Sequence, residues 1–287
     1  MALFEKFLEK SKYKTSKIGI GVGTSQNQYR IIIDGILNYL KYNKADISLF
    51  CYDIDIQETL NNEFNAKSKS NIKFIANDHP ERKIIEYLKN HKIDGVIRGG
   101  LSSNEFLKSV NEQFNIYKIN RLALLETVYG HQFFFGPVGI DECNDLESKI
   151  IFLEQALKIF KLIDIKPEIS VLSGGRKGDL GRSSSVDQSI KEAISVVSRL
   201  KEQYPNLKIN HHEILIEKAI AEQSNLILAP NGISGNLIYR TLVHLGGGKA
   251  FGAIYLGMEQ LIIDTSRVGK SSEIEGALVL ANALHKL

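Results

Sequence analysis

The sequence has little sulfur, little excess charge and no long apolar run. Two cysteines, Cys51 and Cys143, lie far apart with no CxxC pair, which excludes a disulfide framework and a cysteine zinc site. The 36 basic residues are nearly balanced by 33 acidic ones, for a net charge of +3. No dense Lys/Arg stripe with interleaved aromatics occurs, which excludes a dedicated nucleic-acid binder. No apolar stretch approaches the ~18 residues that span a membrane. The first residues, MALFEKFLEKSKYK, alternate charge with apolar side chains and lack a signal-peptide core, so a cytoplasmic location is expected. No internal repeat or low-complexity segment interrupts the chain. What remains is an ordinary globular composition, 43% hydrophobic over 287 residues, enough for one large domain or two of usual size.

β-branched apolar runs alternate with helical patterns along most of that length. KIGIGV (17–22), DISLFCY, NIKFIA (71–76) and DGVIRGG (94–100) read as strands. NQYRIIIDGILNYLKY and ERKIIEYLKNHK, between them, read as helices. The alternation predicts βαβ units and a mainly parallel sheet. Between Ile116 and Ile140 two β-like runs follow each other with no helix, as expected at a sheet edge or a crossing into a second domain. From Asp145 the alternation resumes. ESKIIFLEQALKIFKLI carries Ile150, Leu153, Leu157 and Phe160 on one helical face. EISVLSGG and NLILAP read as strands, and VDQSIKEAISVVSRL, HHEILIEKAIAEQ and GNLIYRTLVHL as helices, the last stopped by Gly246-Gly247-Gly248. FGAIYLG, LIIDTS and a final helix complete the chain.

Open parallel sheets bind ligands at the carboxyl ends of their strands, so the glycine-rich turns there are the places to look. Gly19, Gly21 and Gly23 in GIGVGTSQ do not fit the dinucleotide pattern GxGxxG. In VIRGGLSS, Arg98 closes a strand, where it either pairs with an acid or holds an anion, and Ser102 or Ser103 can cap the next helix. LSGGRKGDLGRSSSVDQ surrounds Arg176, Lys177 and Arg182 with glycines, as a solvated turn or as a lid for a polyanion. Ser185 with Gln188 there has the spacing of a capping box. In LAPNGISGNLIYR, Ser234 or Asn236 can cap a helix whose N-terminus is an anion site by geometry, or a self-capped helix end. His211 and His212 read as surface or helix residues, and no carboxylate cluster suited to a metal is visible.

DTSRVGKSSEIE (264–275) contains Gly269-Lys270-Ser271, the end of a P-loop, but Asp264 stands where that loop needs its first glycine. Ser272 with Glu275 has capping-box spacing for the last helix. Ser266 and Arg267 end the preceding strand, and Arg267 is suited to bidentate phosphate binding. Glu273 falls in the first helical turn, as a general base or as an acid favoured by the helix dipole.

From Pro230 to Glu275 the chain resembles the C-terminal signature of phosphate acetyl- and butyryltransferases: a Pro/Asn turn, a Gly-Asn helix start, and an Asp-x-Ser-Arg loop before the last helix. DGVIRGGLSS and ISVLSGGRKG are similar to the family at lower specificity. Within that family the chain resembles the methanogen marker protein 4, or MtxX, subgroup, which is associated with methyltransferases. The resemblance implies an α/β fold of the isocitrate/isopropylmalate dehydrogenase type: two domains with mostly parallel sheets, a cleft between them, and usually a homodimer. The domains expected are 1–140 plus 251–287, and 141–250. It implies acyl transfer between phosphate and the thiol of coenzyme A or another phosphate-bearing coenzyme, with Glu273 at the position of the family's base. Ser266 and Arg267 match its phosphate-binding pair, with Asn231, Ser234, Gly235, Asn236, Arg98, Arg176 and Lys177 as further anion-binding candidates. No metal is implied. The subgroup implies the alternative of a non-catalytic accessory protein of methanogen C1 metabolism, with a methyltransferase as partner. Three departures stand out. The family base is an aspartate where Glu273 stands, Val268 follows the Ser-Arg pair in place of glycine, and RLALLET lacks the family's serines.

Overall fold

The computed structural model describes residues 3–12, 14–53, 56, 58 and 72–285. In chain order the elements are α1 (Leu3–Ser11), β1 (Lys17–Gly21), α2 (Gln26–Leu40), β2 (Asp46–Cys51), β3 (Ile72–Ala76), α3 (Pro80–Lys89), β4 (Gly95–Ile97) and α4 (Ser103–Phe114). Then come β5 (Asn120–Glu126), β6 (Gln132–Gly136), α5 (Leu146–Ile163), β7 (Glu168–Leu172), a 3-10 turn (Lys177–Asp179), α6 (Ser184–Gln203), β8 (Lys208–Glu213) and α7 (Ile216–Ala221). The chain continues with β9 (Leu226–Leu228), α8 (Gly232–Arg240), a π-helical turn (Thr241–Leu245), β10 (Lys249–Leu256), β11 (Leu261–Asp264) and α9 (Ser271–Leu284). Asn71, assigned by pattern to the third strand, lies outside the described residues.

The chain divides into two compact units, Leu3–Lys118 with Ala250–Leu287, and Ile119–Lys249. In the first, the strand order is β3-β2-β1-β4-β11-β10, parallel except for β10 against β11. β1 lies between β2 and β4, so the winding direction reverses beside it, and the carboxyl ends of β1 and β4 form the switch point where such sheets take ligands. β1 and β4 are short and almost wholly apolar because helices cover both faces of a parallel sheet.

The last helix is the centre of this unit. In α9, Glu273, Ile274 and every residue from Gly276 to Ala283 are buried, so the helix has no solvent face. Small residues make that possible: a Cβ on Gly276 would come within 2.7 Å of Phe251 Cα. Asn282 fixes the helix to the start of the chain. Its Oδ1 accepts from Ser16 Oγ at 2.6 Å, and its Nδ2 donates to the carbonyls of Ser11 and Lys14, both at 3.1 Å. α9 begins at Ser271 with Lys270 at the N-cap and no side-chain cap bond, so the expected Ser272–Glu275 box does not form.

In the second unit the order is β5-β6-β9-β7-β8, with β5 and β6 an antiparallel hairpin and the other pairs parallel. Residues 119–140, expected at the edge of the first sheet or at the crossing into a second domain, group with this unit. The reason is a long-range pairing, Phe134 to Gly136 against Leu226 to Leu228, which local periodicity does not reveal. HHEILIEKAIAEQ is a second correction. Its first residues belong to strand β8, and the helix is confined to α7. His212 is buried in that strand, so the reading of both histidines as surface or helix residues does not hold. α6 is capped by Ser183, whose Oγ accepts from the Val186 amide at 3.3 Å, in place of a Ser185–Gln188 box. Cys51 and Cys143 are both free and buried.

Candidate functional site

The carboxyl ends of β4 and β11 are tied together by Arg98. Its Nε pairs with the Asp264 carboxylate, Nη2 donates to the Thr265 carbonyl, and Nη1 donates to the Leu101 carbonyl at 2.7 Å. Arg98 and Asp264 are both buried, and Asp264 Oδ1 also accepts from the Thr265 amide at 2.9 Å. All three guanidinium nitrogens of Arg98 are therefore engaged within the unit. Of the two roles open to Arg98 from sequence, the contacts display pairing with an acid. The turn after it requires glycine: Gly99 has φ +61°, and the Gly100 amide donates to the Gly21 carbonyl of β1 at 3.0 Å. Gly21 and Gly23 of GIGVG thus serve the close approach of two strand ends.

Beyond β11 the chain makes a tight loop into α9. Glu273, the third residue of that helix, is buried and folds back so that Oε1 accepts from the Ser266 amide at 2.9 Å. Its other oxygen packs against Gly269, where a Cβ would collide with it. Gly269 donates its amide to the Ser266 carbonyl at 3.0 Å, closing the turn. Val268 is 62% exposed and is not among the residues with positive φ, so this loop does not need a glycine there.

Two donors are left over. Ser266 Oγ accepts from the Val268 amide at 3.4 Å, while its own proton has no acceptor among the described residues. Arg267 is exposed. Its carbonyl accepts from Gln28 Nε2 at 3.2 Å, but its guanidinium has no partner among the described residues. A hydroxyl and an unengaged guanidinium on adjacent residues, beside a held carboxylate, are the means of binding a phosphate and moving a proton.

Sequence reasoning missed Gln28, Tyr52 and Glu81. Tyr52 follows β2 and donates to the buried Glu81 carboxylate, which also accepts from the Ser102 amide at 3.2 Å. Burial and then Glu81 push the Tyr52 hydroxyl well above its ordinary pKa, against the pull of Arg267. A cavity of ≈ 470 Å³ is lined by Tyr52, His79, Glu81, Glu105 and Lys108. No motif could have pointed to these residues, because they come from separate loops at the carboxyl ends of β2 and β3 and from the starts of α3 and α4.

The remaining candidates lie in the second unit. Asn231 is the N-cap of α8 and forms a capping box with Ser234: Ser234 N donates to Asn231 Oδ1 at 2.9 Å, and Asn231 N to Ser234 Oγ at 3.2 Å. Gly232 donates its amide to the Glu142 carbonyl, Gly235 to the Asn231 carbonyl, both at 2.9 Å, and Asn236 Nδ2 to the Val138 carbonyl at 2.8 Å. The helix start is thus largely self-capped. Arg176 and Lys177 are exposed on the turn after β7, their amides held by Asp179 at 2.8 Å and Glu213 at 3.1 Å. RLALLET carries a partly buried ion pair in place of serines: Arg121 Nε donates to Glu142 Oε1 at 2.6 Å. Among the described residues no group of three or more His, Cys, Asp or Glu is arranged to hold a metal ion, and no helix is long and apolar enough to cross a membrane.

The fold is that of the phosphotransacetylases. The chain superposes on the EutD phosphotransacetylase of Staphylococcus aureus with a TM-score of 0.70 at 16% identity, covering 98% of both chains. A phosphotransacetylase of Streptococcus pyogenes gives 0.72 at 16% identity, covering 99% of this chain and 98% of that one. At these identities the likeness is one of fold. Sequence relatives narrow the family. The chain is 41% identical over 221 residues to a Methanosarcina barkeri protein whose name carries the words "methyltransferase mtx subunit X", covering 77% of this chain and 80% of the relative. A Methanosarcina mazei protein of the same name is 40% identical, covering 77% of each. The phosphate butyryltransferase of Clostridium acetobutylicum is similar at 23% identity over 77% of this chain and 76% of its own. No protein-family model matches the chain. The chain belongs to the mtx subunit X family, and it has the α/β, mostly parallel architecture of phosphate acyltransferases.

Proposed function

We propose that this protein transfers an acyl or phosphoryl group on a phosphate- or coenzyme A-type ligand. The observation that carries the reading is the pair of unengaged donors on adjacent residues, Ser266 Oγ–H and the Arg267 guanidinium, next to the held Glu273 carboxylate. In this reading Glu273 takes the proton of an incoming thiol. The sulfur attacks the acyl carbon, the carbon–oxygen bond to phosphate breaks, and phosphate leaves with the bonding pair. Arg267 neutralises the phosphate oxygens, and Ser266 donates to the oxygen on which charge develops. Asn231, Ser234, Gly235, Asn236, Arg176 and Lys177 are secondary candidates, since the α8 amides are largely engaged. The names of the butyryl- and acetyltransferase relatives support acyl phosphate chemistry.

The test is thermal stabilisation by phosphate, acetyl phosphate and coenzyme A, with Arg267→Ala as the control. A ligand at about 100 times its dissociation constant stabilises by roughly 2.7 kcal/mol. Phosphate is expected to raise the melting temperature of the wild type by more than that of Arg267→Ala. An equal shift in both would remove Arg267 from the site.

The relatives named for a methyltransferase subunit favour a second reading: a non-catalytic accessory protein of methanogen C1 metabolism that senses the same anion and binds a methyltransferase. A cytoplasmic location is proposed for either role. A homodimer is also proposed. The reading rests on Tyr129, Leu245, Leu237 and Val128 of the second unit, which are 96%, 84%, 61% and 61% exposed and which an interface would cover. Sedimentation equilibrium is expected to give a dimer for the wild type and a monomer for Tyr129→Asp/Leu245→Asp. A wild-type monomer rejects the assembly.

A further inference from the structure

The second unit carries a cavity of ≈ 370 Å³ beside β8, the last strand in the order of its sheet. Its size is at the lower end of small-molecule sites. Three lysines line it, Lys177 from the turn after β7, Lys201 from α6 and Lys218 from α7, against a single lining carboxylate, Glu222. That carboxylate is already engaged, by His212 Nε2 at 2.8 Å and by Lys218 at 3.7 Å. The ammonium groups of Lys177 and Lys201 have no acidic partner among the described residues. The lining therefore holds an uncompensated positive charge.

The protonation state of His211 is set by its neighbours. Ser173 has one hydroxyl proton, which it donates to the Gly175 carbonyl at 2.7 Å. The same oxygen lies 2.8 Å from His211 Nε2, so it accepts there, and the ring carries its proton on Nε2. Nδ1 is buried and has no partner among the described residues. In the neutral ring that nitrogen is an unused acceptor. With a second proton it becomes a donor facing a need for negative charge. Burial, with Lys177 and His212, lowers the His211 pKa against the opposing effect of Glu213, so the second proton is disfavoured until a counter-charge arrives. Lys201, Lys218 and Glu222 are the other charged groups lining the cavity.

The floor is rigid. Ser170 Oγ lies 2.7 Å from His212 Nδ1 and 2.6 Å from Ser224 Oγ, so a fully buried hydrogen-bonded chain locks β8 against β7. Ile194 and Val197 of α6 add an apolar wall.

We propose that this cavity is a second ligand site, taking a small dianion of the phosphate class whose non-ionic part rests on Ile194 and Val197. Lys177, Lys201 and Lys218 hold the anion, and His211 completes the site in its doubly protonated form. The site is independent of Arg267 and goes beyond the transfer reaction proposed above.

The test is calorimetric titration of the full chain carrying Arg267→Ala with inorganic pyrophosphate, at low ionic strength. That background silences the first site, so failure of the two proposals is distinguishable. One site per chain is expected to remain. Adding Lys201→Ala/Lys218→Ala is expected to weaken it on the order of tenfold per lysine, with an unchanged thermal melt. The His211 nitrogen resonances are expected to show the Nε2–H tautomer in the free protein and a doubly protonated ring when bound. Affinity tightens as pH falls from about 8 to about 6, across the ordinary histidine range. Absence of binding, equal affinity in the lysine variant, or a His211 ring unchanged by pyrophosphate each overturns the proposal. Binding of an acidic peptide along β8 without pyrophosphate binding does so as well.

Discussion

Glu273→Gln is expected to lower acyl transfer between an acyl phosphate and the coenzyme A thiol by roughly 10²–10⁴-fold, the usual contribution of a positioned general base. The amide keeps an oxygen acceptor for the Ser266 amide, a bond of 2.9 Å in the wild type, so the loop and the melting temperature should change little. Phosphate stabilisation through Arg267 should survive for the same reason. Glu273→Asp is the companion variant. It restores the residue type of the phosphate acyltransferases but withdraws the carboxylate by about an ångström, a displacement that can cost ~10²-fold when the surroundings are built for the longer chain. The surroundings here are so built: Gly269 leaves room for Oε2, where a Cβ would collide with it. Rates are read by thiol consumption over a range of pH. Wild-type turnover in the glutamine variant would make Glu273 a brace for the loop, whereas no turnover in either protein would favour the accessory reading.

Arg98→Ala is expected to cost roughly 3–5 kcal/mol, because it leaves the buried Asp264 carboxylate without its charge partner. The carbonyls of Leu101 and Thr265 lose a donor at the same time. Asp264 and Thr265 lead directly into Ser266 and Arg267, so phosphate stabilisation is expected to fall although Arg267 is intact. The check is urea denaturation of Arg98→Ala, Asp264→Ala and the double variant. Removing both charges should be much less damaging than the sum of the single changes, since no ion is then left buried alone. A single-variant loss below about 1 kcal/mol would place Arg98 among ordinary surface pairs and dissolve its link to the loop.

Local patterns carried much of the architecture. Strand–helix alternation identified an α/β chain, and most elements fall where periodicity put them, because burial on a parallel sheet imposes the same pattern wherever it occurs. Two features lacked that signal. β8 hides behind two histidines, whose polarity disguises a strand in which His212 is nonetheless buried by hydrogen bonds to Ser170 and Glu222. The hairpin of β5 and β6 shows as strands, but its membership in the second unit depends on pairing with β9, about ninety residues later.

The candidate site divides in the same way. Ser266, Arg267 and Glu273 lie within eight residues, so chemistry and spacing could be read together from the chain itself. By itself the sequence determined the α/β class, the failure of the P-loop pattern and the family resemblance. Each of these depends on residue types at short separations. Only the tertiary structure decided that Arg98 pairs with Asp264, that the start of α8 is largely self-capped, and that Tyr52 and Glu81 lie near Arg267. It alone brought His211 beside Lys177 and Lys201. These outcomes turn on which donor finds which acceptor across long stretches of chain. A side chain's charge is written in the sequence, but whether a partner already neutralises it is settled only when the chain folds.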